Sequence, residues 1–163
     1  MKKLSLLAIF LLVSCAEEVK EINAEQLVER QGISYEVNSN TPFTGSTVKY
    51  YENGQLAETG NYVDGKKEGL WVEYWKKGQL ASRTNYENNV RNGLGEDFWT
   101  NGELARKGNL KNDIADGYWE YFTTDGELAI TLLFKNGDEI ERQETEYLQQ
   151  YEDDIQIESN YYE

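Results

Sequence analysis

The chain has no histidine, one cysteine, one proline and one methionine in 163 residues. Without histidine, Ser-His-Asp triads, Cys-His nucleophiles and the usual zinc and copper sites are excluded, and no metal or cofactor is expected. The lone thiol, Cys15, has no partner for a disulfide within the chain, so stability must come from packing. Positive charge is scarce: 16 Lys and Arg stand against 30 Asp and Glu, a net of -14. Such a surface repels phosphates and anionic headgroups, which sets nucleic acid aside as a ligand. Aliphatic residues are thin too, with 39% hydrophobic content and a mean hydropathy of -0.76. Burial therefore falls to the 12 Tyr, 5 Phe and 4 Trp, large rings that each remove much area from water.

No apolar run is long enough to span a bilayer as a permanent helix. The stretch MKKLSLLAIFLLVSC has two lysines, an apolar run from Leu4 to Val13 and a small residue before cysteine, the layout of a secretory signal peptide. Leu12, Val13, Ser14 and Cys15 resemble the bacterial lipobox, whose cysteine becomes the acylated first residue of the mature protein. That resemblance implies lipidation at Cys15 and a tether in the cell envelope, on the outer membrane of a Gram-negative bacterium, since two or three acyl chains hold a small domain on a membrane effectively for good. Loss of residues 1–14 leaves 14 basic and 30 acidic residues, a net of -16. Residues 15–31 read as the lipidated cysteine and a polar spacer. Glu17 and Glu18 resemble the acidic display signal of Bacteroidota lipoproteins; a solvated linker explains them equally.

What the sequence has in abundance is periodicity. Gly45, Gly69, Gly93 and Gly117 lie 24 residues apart, as do Gly54, Gly78, Gly102 and Gly126, with Leu56, Leu80, Leu104 and Leu128 in step. Each unit has the form G-x-x-x-x-aromatic-x-x-x-G-x-L-A. Short segments rich in aromatic and β-branched residues flank the links ENG, KKG, TNG and TDG, so each unit reads as a β-hairpin and both glycine sets as hairpin punctuation. A large apolar group recurs every 12 residues from Tyr50 to Phe134, one per strand. The units span 42–65, 66–89, 90–113 and 114–137, within a domain of residues 32–137. The predicted fold is all-β, an elongated single-layer antiparallel meander whose hairpins gain stability by stacking rings and leucines into ladders. Register stays open. A two-residue Asn-Gly turn pairs Leu56 with Tyr51, whereas a three-residue loop with a bulge pairs it with Tyr50 and turns every later side chain over.

Four copies of G-x-W-x-x-Y-x-x-x-G-x-L resemble the variant MORN repeat of bacterial proteins, many of them described as antitoxin-like. The resemblance covers residues 42–137, and GISYEVNSNTPFTG at 32–45 looks like that family's lead-in. It departs from the pattern at Thr47 and Gly95, which stand where the repeat has Trp. It implies a scaffold or binding surface and no catalyst.

Trp71, Trp75, Trp99 and Trp119 occupy two positions of the first strand, two or six residues after the unit's first glycine, and share one face if that strand is regular. Tyr51 extends the row. Such a row can hold an extended peptide or stack on sugar rings, and it can equally be structural packing. Glu73, Glu96, Asp97 and Glu120 are the carboxylates that a glycosidase would need in a pair; they read first as the polar face of half-buried strands. The tail, residues 138–163, carries ten acidic residues and one basic residue, as a capping helix or a disordered segment. The function expected is a non-catalytic, envelope-anchored scaffold that binds a protein with a basic surface, with glycan or peptidoglycan binding as the alternative. The open sheet edges also offer a route to edge-to-edge self-association.

Overall fold

Two turn chemistries alternate along the chain and fold it into a ribbon. In the computed structural model, which describes residues 19–146 and residue 148, the unit-to-unit turns are two-residue links with positive φ at both positions: Asp64 and Gly65 (49° and 76°), Asn88 and Asn89 (53° and 72°), Asn112 and Asp113 (53° and 66°), Asn136 and Gly137 (52° and 88°). This is the type I′ turn, which matches the right-handed twist of the flanking strands, and Asn, Asp and Gly are the residues that tolerate it. The turn inside each unit is different. Gly54 N–H donates to the Tyr51 carbonyl at 2.8 Å and Tyr51 N–H to the Gln55 carbonyl at 2.9 Å. This three-residue loop has glycine in the left-handed region at 79°, and it recurs at Gly78, Gly102 and Gly126.

The strands are β1 (Glu21–Asn23), β2 (Leu27–Arg30), β3 (Ile33–Glu36), β4 (Gly45–Tyr50), β5 (Leu56–Val63), β6 (Lys66–Tyr74), β7 (Leu80–Glu87), β8 (Val90–Phe98), β9 (Leu104–Lys111), β10 (Ile114–Phe122), β11 (Leu128–Lys135) and β12 (Asp138–Glu144). Ten of them form one sheet in the order β1-β4-β5-β6-β7-β8-β9-β10-β11-β12. All neighbours are antiparallel except β1, which lies parallel to β4. The all-β hairpin meander is therefore as the repeat predicted. At about 4.8 Å between strands, each unit advances the sheet by about 10 Å.

Register follows the bulged alternative. Leu56 pairs with Tyr50, Leu80 with Tyr74, Leu104 with Phe98 and Leu128 with Phe122, and the register shifts at that point in every hairpin. The residue left over on the second strand is the alanine of the L-A pair, buried at Ala57 and Ala129. The first glycine of each unit does not sit in a turn. Gly69, Gly93 and Gly117 lie in strand bulges, where the first strand runs longer than its partner: Thr59 pairs with Val72, but two residues on Asn61 pairs with Glu68. Positive φ at 72°, 102° and 79° makes these bulges glycine positions.

The ends differ from the sequence expectation. The stretch read as linker carries β1, a capped turn and β2, in which the Asn23 side chain accepts from Glu25 N–H and Gln26 reaches back to Asn23 N–H. A short polar strand suffices there, because its task is to pair with β4 and cover that edge. Residues 138–144 of the tail form β12, which pairs with β11 and is exposed throughout. The capping helix expected in this tail, with Ile140 on its face, is therefore strand at its start; Glu146 and Leu148 are helical, and the rest of it, like the signal segment and Cys15, falls on residues outside those described.

The core is one residue deep. Phe43, Trp71, Trp119 and Leu132 are buried with Ala57, Ala129 and Thr47. Rings meet edge to face from Phe43 to Tyr62 (6.0 Å), Tyr62 to Trp71 (5.1 Å) and Trp71 to Tyr86 (6.0 Å).

Candidate functional site

The four tryptophans do not form one row. Trp71 is 3% and Trp119 7% exposed, whereas Trp75 and Trp99 are each 39% exposed. The inner pair lies flat on the strand before it. A Cβ built on Gly60 would stand 2.2 Å from the Trp71 ring, and one on Gly108 would stand 2.2 Å from Trp119. Each indole N–H donates to a carbonyl of that strand, Trp71 to Asn61 at 3.2 Å and Trp119 to Asn109 at 3.0 Å. The third unit exchanges the pieces. Gly95 replaces the tryptophan and Thr84, opposite it in register, replaces the glycine, and a groove of about 250 Å³ lined by Thr84, Gly95, Leu110 and Trp119 opens where the indole would lie.

The outer rings lie just past the ends of their strands and reach forward. Tyr51 Oη donates to the Tyr74 carbonyl at 2.6 Å, Trp75 Nε1 to Phe98 at 3.2 Å and Trp99 Nε1 to Phe122 at 3.1 Å. Asn53 Nδ2 bonds the Lys76 carbonyl at 2.9 Å and Asn101 Nδ2 that of Thr124 at 2.5 Å. Each of these bonds spans 23 residues, so every hairpin tip is stapled to the next. The result is a stepped shelf of Tyr51, Trp75 and Trp99. Two grooves of about 550 Å³ each lie along it. One is lined by Tyr51, Glu58, Glu73, Trp75 and Ser82 among others, the next by Trp75, Asp97, Trp99, Arg106 and Tyr121.

The strand carboxylates belong to pairing rows. On one row Arg83 pairs with Glu96, Glu96 with Lys107 and Lys107 with Glu120 in register, and the Arg83–Glu96 and Lys107–Glu120 contacts are 2.8 Å. Asp97 is held by Arg106. Glu96 and Glu120 are thus engaged on the opposite side of the strands from Glu73 and Asp97, and the four do not converge on one cleft. At the unit turns, the Arg91 guanidinium, 2.9 Å from Asp113, holds that carboxyl below its ordinary value. Burial in the ring ladder pushes the Tyr62 and Tyr86 hydroxyls up.

Sequence reasoning had no means of seeing the inter-repeat staples, but the spacing carries a trace of them: aromatic residues at 51, 75 and 99 directly follow the aromatics at 50, 74 and 98. A side chain that bonds to its own equivalent's neighbour one unit on needs that adjacency.

Three consecutive stretches match the MORN repeat variant. They are residues 43–64, 67–88 and 91–112, one for each of the first three hairpins. The fourth hairpin, β10 and β11, keeps the same bulges and turns beyond the matched residues. MORN repeats are protein- and membrane-binding elements of a non-enzymatic type. No curated protein matches the chain.

Proposed function

We propose that this chain is a non-catalytic scaffold of the bacterial cell envelope, tethered through a lipidated Cys15, that binds a protein with a basic surface along the hairpin tips. One observation carries the reading: Trp75 and Trp99 stay 39% exposed while their indole N–H groups are fixed on backbone carbonyls. Rings exposed for want of anything to cover them would be loose. Rings held rigid and outward lose little side-chain entropy on binding, which is what an anchor residue requires. Acidity favours a basic partner and fast association at low salt.

The test is crosslinked co-purification of the full chain from native envelopes, beside the Trp75→Ala, Trp99→Ala double variant. A basic protein held by the wild type, lost in the variant and released by salt supports the reading. Identical capture by both, or capture indifferent to ionic strength, contradicts it. A second reading, glycan binding, draws on the groove between Trp75 and Trp99, whose lining is mostly ring and alkyl surface beside the Asp97–Arg106 pair. Unchanged tryptophan emission on titration with cell-wall oligosaccharides would remove it.

A further inference from the structure

One hairpin fills a position that the hairpin before it leaves open. Across the tips Glu58 pairs with Glu73, Glu73 with Ser82, Ser82 with Asp97 and Asp97 with Arg106. Glu73–Ser82 and Asp97–Arg106 are equivalent pairs one unit apart. In the third unit the Arg106 guanidinium binds Asp97 and lies 5.8 Å from the Trp119 ring. In the second unit serine stands where arginine would be. Glu73 consequently has no ion-pair partner among the described residues, and Glu58 faces it directly, like charge against like. Relief is partial: Lys67 approaches Glu58 only to 3.7 Å, and Lys49, across the hairpin from Glu58, is exposed on the groove wall. Tyr51 and Trp75 bound the same groove, both fixed by their hydrogen bonds to the next unit, and the Asp97–Arg106 pair, already satisfied within itself, lines it too.

We propose that this groove takes an arginine side chain from an extended segment of the basic partner, with its guanidinium between the Glu58 and Glu73 carboxylates and against the Tyr51 and Trp75 rings. The chain's own Arg106 on Asp97 is the internal precedent for the carboxylate contact. A guanidinium suits the site better than an ammonium, because its planar fork can satisfy two carboxylates while its face stacks on a ring. The inference rests on the scaffold reading and narrows it to one chemical contact.

The experiment is fluorescence anisotropy of a labelled, proline-rich nonapeptide with one central arginine, titrated with the full chain in detergent. Saturable binding is expected. Replacing the arginine by citrulline, its neutral isostere, should weaken binding about tenfold or more. Ser82→Arg, which supplies the cation from within as the third unit does, should do the same, and Glu73→Gln provides a second variant if Ser82→Arg fails to fold. No binding, equal binding of the two peptides, or wild-type affinity in the folded variants overturns the proposal. The two readings fail separately. If Ser82→Arg still captures the envelope partner and the Trp75→Ala, Trp99→Ala variant does not, the scaffold stands and the arginine site falls.

Discussion

At the residue scale, identical tryptophans have opposite fates because of what lies across the strand from them. Trp71 has a glycine to lie on and Trp75 has only the next hairpin tip. Trp71→Ala should therefore cost about 3–5 kcal/mol, the range for emptying a buried aromatic site, and Trp75→Ala roughly 1 kcal/mol, chiefly one side-chain hydrogen bond. Chemical denaturation checks both, and equal losses would refute the division into inner and outer rings. The sequence placed all four rings on one side conditionally, and it could not grade them. Exposure depends on the residue opposite, and the contact of Trp71 with Gly60 lies at a bulge that no alternation pattern reveals. The loss of tryptophan at Gly95 was visible as a departure from the repeat, but that Thr84 stands opposite it needed the strand pairing. Titration belongs at this scale too. Tyr62 and Tyr86 are raised above their ordinary value of 10.0, first by burial. Their neutral forms stabilise the fold below that value, and the contribution is lost as pH climbs through the raised values of the folded state. Thermal melts should fall steeply on the alkaline side, and Tyr62→Phe with Tyr86→Phe should flatten the fall. An unchanged alkaline limb in the double variant would assign it to other groups.

At the element scale, the hairpin was legible and its register was not. Gly, Asn and Asp named both turns, but a three-residue loop and a two-residue turn use the same letters. What decided between them is the geometry of Gly54 and the alanine bulge after Leu56. Likewise Gly69, Gly93 and Gly117 resembled turn punctuation and are bulges within strands. The unit turns are joined by side chains: Asn89 accepts from Lys67 N–H at 2.6 Å, and Asp113 from Arg91 N–H at 3.1 Å. Asp113, lowered by its bonds to Arg91, contributes above its ordinary value, and that contribution is lost as pH falls through the depressed folded value. Asp113→Asn keeps the acceptor and removes the charge. It should leave neutral-pH stability within about 0.5 kcal/mol, as expected for an exposed pair, and shallow the acid limb of the melt; a large loss at neutral pH would show that the ion pair matters more than the turn.

At the scale of the whole molecule, each hairpin touches mainly its neighbours in the sheet, so the chain is a one-dimensional array with two ends to protect. The N-terminal end is protected by β1 in parallel pairing, with β2 and β3 joined to the first unit where Ser34 N–H donates to the Gly65 carbonyl at 2.9 Å. The other end is β12, with the sequence DEIERQE, where charge does the protecting: an acidic edge strand resists a second copy of itself. Replacing Glu139 and Glu141 by threonine should convert that edge to one that pairs, read as a concentration-dependent rise in mass by light scattering. A variant that stays as dispersed as the wild type would mean that something other than charge guards the edge. The sequence foresaw the two open edges but placed its structural boundaries at residues 32 and 137, because short polar strands lack the aromatic signature by which the inner ones were recognised.

One repeat builds an inner packing row and an outer shelf at once. Acrylamide quenching of tryptophan emission, compared across Trp71→Phe, Trp75→Phe, Trp99→Phe and Trp119→Phe forms of the full chain, tests this directly. The quenchable fraction should fall on removing Trp75 or Trp99 and rise on removing Trp71 or Trp119. A fraction that does not depend on which ring is removed would contradict the shelf, and with it the binding face proposed on it.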